Sequence, residues 1–213
     1  MVTEKIDFEN TTSETDITIY PFFIDVLNDY ASFAGPDVDI VKGAVDQITG
    51  MLTSSQSAQN LSVTNTGENS YNIAFTYSSI SDLLKALGGG EQDILVEKDG
   101  SLSFYLDINN YSQLKKIIPI LSDVNFEVYA AEYNQGMSED DYLEMIYYLL
   151  GSEAPDAVRE SEISITITLP GLITSGENVE MLDSNTARYT FSLLSFLLLS
   201  EPLSFSLTWN AQA

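Results

Sequence analysis

The sequence predicts an α+β fold, an antiparallel sheet with several helices packed on one face. Strand patterns occur as neighbouring hairpins rather than in regular βαβ alternation, and the helical patterns are segregated between them. With 44% apolar residues in 213, the chain can fill one sizeable core or two small ones. No internal repeat, low-complexity tract or evident linker interrupts it. One domain over 1–213 is expected, the alternative being a boundary in the polar stretch 151–161 ahead of a β-rich part, 162–213.

In chain order, Val2 to Phe8 and Asp16 to Tyr20 are expected as short strands around a polar turn, Glu9 to Glu14. A helical pattern then runs from Pro21 to Gly35, with Phe23, Val26, Leu27, Tyr30 and Phe33 on one stripe. Asp37 can cap a second helix, whose stripe is Val41, Ala44, Val45, Ile48 and Leu52. Leu61 to Thr64 and Tyr71 to Tyr77 read as strands, the second with Tyr71, Ile73, Phe75 and Tyr77 on a buried face. A short helix, Ile80 to Leu87, ends at Gly88-Gly89-Gly90. The clearest hairpin is Ile94 to Lys98 with Leu102 to Ile108, where Asp99-Gly100 suits a type I′ turn.

Tyr111 to Ile118 is expected to be helical and to end at Pro119, while Asp123 to Gly136 is left unassigned. Ser138 caps the next helix, Glu139, Asp140 and Asp141 complement its dipole, and Gly151 stops it. Its apolar residues cover most of its circumference, which predicts deep packing. From Glu162 the pattern is strands: Ile163 to Leu169, Val179 to Leu182, Ala187 to Phe191 and Leu203 to Trp209.

The charge balance is 8 basic against 32 acidic residues, net −24. Such a field disfavours nucleic acid and anionic headgroups, since both are bound through clustered Lys and Arg and the one adjacent basic pair is Lys115-Lys116. The sequence opens directly into polar residues, with neither the charged nor the apolar part of an export signal. A cytosolic protein and a mature domain with its leader removed both fit. Phe191 to Leu199, the longest apolar stretch, is far shorter than the roughly 20 residues that span a bilayer.

There is no histidine and no cysteine. This excludes Ser-His-Asp and Cys-His nucleophiles, HExxH metal sites, imidazole bases, disulfides and thiolate ligation. Phosphate-binding glycine motifs are missing too, and Gly88 to Gly90 reads as a helix end and loop. No cofactor is implied. Ser112-Gln113-Leu114-Lys115 matches an SxxK pattern without its SDN and KTG companions, and Ser112 is better read as the start of a helix. Asp140 and Glu144 share a helix face and are the candidate acid pair of a carboxylate-dependent hydrolase, against the plainer reading of first-turn acids on an acidic protein. Asp37-Val38-Asp39 is a weak calcium candidate that lacks the EF-hand pattern.

The remaining functional signal is apolar and aromatic. Tyr129, Tyr133 and Tyr142, with Tyr147 and Tyr148 nearby, suit a ligand groove that is apolar on one side and wet on the other. The competing reading has them sealing a helix against the sheet. Leu193, Leu194 and Phe196 to Leu199 pose the same choice between core and pocket lining.

Two blocks resemble known sequences. Asn125-Phe126-Glu127-Val128-Tyr129, with Tyr133-Asn134-Gln135-Gly136-Met137-Ser138, Tyr142-Leu143-Glu144-Met145 and Leu150-Gly151, resembles a block of uncharacterised bacterial envelope lipoproteins. Ile163 to Gly171, ending Thr168-Leu169-Pro170-Gly171, resembles the strand and Pro-Gly of LppM-like lipoprotein ectodomains. The resemblance implies export, an N-terminal lipid anchor on a cysteine ahead of this sequence, and a lipid- or glycolipid-binding fold with a helix over a curved sheet. It transfers no individual site residue. The expectation is a non-enzymatic, extracytoplasmic lipoprotein ectodomain that binds an apolar or lipid ligand or a protein partner and meets the membrane through its anchor. The alternatives are a structural or adhesive surface protein and, more remotely, the carboxylate hydrolase.

Overall fold

The first hairpin is held by a side chain acting as backbone. In the computed structural model, β1 (Val2–Asp7) and β2 (Thr12–Thr18) pair antiparallel. At their turn the Asp7 carboxylate accepts from the backbone N–H of Glu9 and Asn10, both at 2.9 Å, an Asx-type turn. The structure describes residues 1–24, 40–67, 69–90, 92–122 and 124–211. The predicted helix through Val26, Leu27, Tyr30 and Phe33, its proposed successor's cap Asp37 and the Asp37-Val38-Asp39 loop lie outside the described residues. β2 begins four residues earlier than expected, because Ser13 and Thr15 are polar as partners of the Glu4 carboxylate on β1 and not as turn residues.

The next elements are α1 (Ile40–Ser55), β3 (Ala58–Gly67), β4 (Ser70–Tyr77) and α2 (Ile80–Leu84). β4 shows the predicted alternation, with Ile73, Phe75 and Tyr77 buried. Val45 and Leu52 of α1 and Leu83 of α2 pack on that face. α2 is capped by Ser79, whose hydroxyl accepts from Asp82 N–H at 3.0 Å. It runs into a wide π-turn, Lys85–Gly89, kinked at Gly88, whose φ is +98°.

The hairpin of β5 (Leu95–Lys98) and β6 (Ser101–Leu106) forms as predicted, with Asp99 and Gly100 at φ +50° and +76°. α3 (Tyr111–Ile117) follows and gives way at Pro119. The unassigned connection holds one turn of helix, α4 (Val124–Glu127), and a loop tied by Asn134, whose amide donates to the carbonyls of Val128 and Ala130 at 3.1 and 2.9 Å.

α5 (Glu139–Leu150) is capped by Ser138 and stopped by Gly151. Deep packing on all sides does not occur. Tyr142, Leu143 and Ile146 are buried, whereas Tyr147, Tyr148 and Leu149 are exposed. A twelve-residue helix at the end of a sheet meets protein along one stripe, here made by α6 (Ala154–Glu160) and α7 (Leu193–Leu198). The polar stretch 151–161 is thus mostly helix, with Ala154, Ala157 and Val158 turned inward.

The last strands are β7 (Glu162–Thr168), β8 (Gly171–Glu177), β9 (Glu180–Met181), β10 (Thr186–Ser192) and β11 (Leu203–Ala211). β8 stands where no strand was expected. It is the edge of its sheet, mostly exposed, and its order comes from backbone pairing with β11 rather than from an apolar face. The fold is α+β, but the strands divide into two sheets. One has the order β3-β4-β2-β1-β7-β10-β9, the other β5-β6-β11-β8. All pairings are antiparallel except β1 with β7. Leu102, Phe205 and Leu207 of the smaller sheet pack on Ile167, Ala187 and Tyr189 of the larger.

Candidate functional site

The inner face of the larger sheet is covered by the smaller sheet over β7 and β10 and is left open by the described residues over its central strands, β1 and β2. There lies a cavity of about 480 Å³, well within the range of small-molecule sites. Its sheet wall carries Val2, Ile6, Ile17, Ile73, Phe75 and Ile165, which strand pairing places side by side: Val2 opposite Ile17, Val2 to Ile6 alongside Ile163 to Ile167. α1 contributes Ile48, Met51 and Leu52 opposite. α2 and the π-turn add Leu84 and Leu87, the smaller sheet adds Leu95, Phe104 and Phe205, and the end of α3 adds Ile117 and Ile118. Ile48 and Ile118 are 36% and 37% exposed and mark an apolar rim.

Polar lining is sparse. Gln92 is spent on its own loop, its amide oxygen accepting from Ile94 and Leu95 N–H at 2.8 and 2.9 Å and its nitrogen donating to the Leu95 carbonyl at 2.7 Å. Gln47 is exposed on α1. Inside, the polar groups are Glu4, Ser13 and Thr15, on the central strands and in the apolar phase of β1 and β2. The Ser13 hydroxyl donates to one Glu4 carboxylate oxygen at 2.6 Å, and the Thr15 hydroxyl donates to the other.

Glu4 is closely enclosed by protein but retains some accessible surface because it faces the cavity. Its pKa is raised above the ordinary 4.5, first by desolvation and then by the charges of Asp16 and Glu14; the two hydroxyls oppose this. Lys5, next in sequence, points to the opposite face and pairs with Glu14 at 3.0 Å and Asp16 at 3.5 Å. Among the described residues no lysine or arginine forms an ion pair with Glu4. Sequence reasoning missed this carboxylate. The available signal was Val2-x-Glu4-x-Ile6, an acid on the inward beat of an alternating strand.

The three tyrosines singled out by the sequence do not line this cavity. Tyr142 is fully buried on the inner face of α5 and donates its hydroxyl to the Tyr129 carbonyl at 2.9 Å. Burial pushes its pKa up. Tyr129 is half-buried beside it in the helical cluster, and Tyr133 is 64% exposed with its hydroxyl 3.1 Å from Glu127. Leu194 and Leu198 pack in that same cluster, and Leu199 beside Tyr111.

The catalytic candidates are equally placed. Asp140 and Glu144 are exposed on α5. Ser112 is an exposed residue of the first turn of α3, and Lys115 is held by Glu132 at 2.7 Å and Glu127 at 3.5 Å. The Glu132 hydrogen bond keeps the Lys115 ammonium above its usual range, the opposite of what a lysine base requires. Among the described residues no three acidic side chains converge as a metal site, and no helix is long and apolar enough to cross a membrane.

No family model and no curated protein sequence matches this chain. Among solved structures, it is similar to the folded domain of the Mycobacterium tuberculosis LppM protein, determined by NMR. The identity is 10% and the TM-score 0.43, over 100% of this chain and 90% of that one. The likeness assigns no residue and no activity to this chain.

Proposed function

We propose that this chain is a non-enzymatic binding module that takes an apolar, lipid-like ligand into the cavity between its two sheets. The observation that carries the reading is the cavity itself. Protein interiors contain few voids larger than a water molecule, and a void of about 480 Å³ walled by Val, Ile, Leu and Phe offers water few partners. Its natural occupant is hydrocarbon. At about 0.8 kcal/mol per buried methylene, roughly ten carbons supply about 8 kcal/mol before association costs, so micromolar affinity is the upper bound for a simple chain. Placement as the ectodomain of a cell-envelope lipoprotein is supported by the resemblance of the 125–151 and 163–171 blocks, and incorporation of an alkyne-tagged fatty acid in the source cells tests it.

The cavity is tested with N-phenyl-1-naphthylamine, whose fluorescence rises in an apolar site. Saturable binding is expected, and a filled cavity should abolish it. Ile165→Trp places an indole in the void and should weaken probe binding more than tenfold while circular dichroism stays unchanged. Absence of saturable binding by the unaltered chain, together with native mass spectra free of any bound species, would overturn the reading.

A further inference from the structure

We infer that the ligand of this cavity carries a hydrogen-bond donor, a hydroxyl or an ammonium group on an apolar chain, and turns that end inward against Glu4. The inference rests on the reading of the cavity as a ligand site and adds the chemistry of the ligand's polar end. A carboxylate offers about four acceptor positions and no donor. Ser13 and Thr15 each use one, on different oxygens, and both hydroxyl protons are consumed in doing so. What the three residues present to the cavity is therefore acceptor capacity alone. A hydroxyl or ammonium satisfies it, an ester or ether does not, and a second carboxylate is repelled.

The surroundings point the same way. Glu4 stands among Val2, Ile6, Ile17 and Ile165, with its sequence neighbour Lys5 on the far side of the sheet and already paired. A hydrogen-bonded ammonium would be the counter-charge that the protein does not supply. The raised pKa of Glu4 agrees with an incompletely compensated carboxylate. The orientation follows from the rim: Ile48 and Ile118 are exposed and apolar, so the mouth suits the chain while the polar group has its partner deep on the central strands.

Displacement of N-phenyl-1-naphthylamine by four ligands of equal chain length decides the matter: 1-dodecanol, dodecylamine, methyl dodecanoate and dodecanoate. The alcohol and amine should displace the probe at concentrations about tenfold below the methyl ester, the scale of one hydrogen bond to a charged group, with dodecanoate weakest. Glu4→Leu should erase the gap between alcohol and ester while the probe still binds. Glu4→Gln, whose amide can donate, should improve dodecanoate and leave the alcohol nearly unchanged. The methyl ester separates donor preference from the repulsion of anions by the acidic surface. Equal binding of alcohol and ester by the unaltered chain, or a gap that survives both substitutions, overturns the inference while leaving the cavity reading intact. Failure of the probe itself to bind overturns both. If Glu4→Leu does not fold, the dodecanoate response of Glu4→Gln decides.

Discussion

Two regions of the larger sheet's inner face, one over β7 and β10 and the other over the central strands β1 and β2, are finished differently. At β7 and β10 the smaller sheet closes down on it. Phe104 and Phe205, which also border the cavity, stack with ring centroids 5.6 Å apart, Tyr189 lies 5.2 Å from Phe205, and Leu169, Ala187 and Leu207 are fully buried. At β1 and β2 the face borders the cavity among the described residues, and Ile6, Ile17 and Ile165 stay half-buried around a carboxylate. The difference separates two uses of apolar residues. One region is a core, whose side chains already have their neighbours; the other lines a cavity, which on the proposed reading takes a ligand.

This contrast can be broken in either region. The largest effect is expected where packing is complete. Leu207→Ala leaves a hole in closed core and should destabilise by about 2–5 kcal/mol, a fall in Tm of roughly 2–4 °C per kcal/mol for a chain of this size. Ile17→Ala, whose side chain already borders the void, should lower Tm less than half as far in the same calorimetric scan. Equal losses would mean that the cavity is closed in solution.

Gly171 tests the closed region through its backbone. It opens β8 where that strand meets β11, and an added Cβ would sit 1.9 Å from the Asn210 carbonyl oxygen. Gly171→Ala must push the edge strand away. A loss on the order of 2 kcal/mol is expected, within the range of single substitutions with an identified clash, and urea unfolding would measure it. Probe binding at the distant cavity should persist.

The smallest effect belongs to Glu4, and its sign depends on pH. Its folded pKa lies above its unfolded value, so the folded state holds the proton more tightly. The stability it contributes is complete below about pH 4.5 and is lost as pH rises through the raised value. Glu4→Gln removes that loss. The variant should therefore melt a few degrees above the unaltered protein at about pH 8, with a smaller difference at about pH 5, in paired thermal scans. A constant difference at both values would show that Glu4 titrates as an exposed acid does.

Much of the fold was legible wherever one short segment decides its own shape. Asp99-Gly100 made its hairpin because both residues accept positive φ, Ser138 and Gly151 bounded α5, and the alternation of Tyr71 to Tyr77 gave the buried face of β4. Polar strands were misread. The expected turn extends over Thr12 to Glu14, and no strand is expected at β8, since neither shows an apolar alternation. In β8 the cause is an exposed edge, and in β2 it is the partnership of Ser13 and Thr15 with Glu4. The candidate site was hidden for that same reason: its central residues look like surface until β1 and β2 are paired.

The sequence by itself determined the α+β class, the turns, the caps and the absence of imidazole and thiol chemistry, because these follow from local geometry and composition. Only the tertiary structure decided that the strands form two sheets, that Tyr142 is sealed on the inner side of α5 while Tyr148 on the same helix is exposed, and that a void remains beside Glu4. A void is a distance between elements remote in sequence. Val2, Ile48, Ile118 and Phe205 enclose one space because separate elements of both sheets and the helices converge there, and no periodicity within any of those segments encodes how far apart they stop.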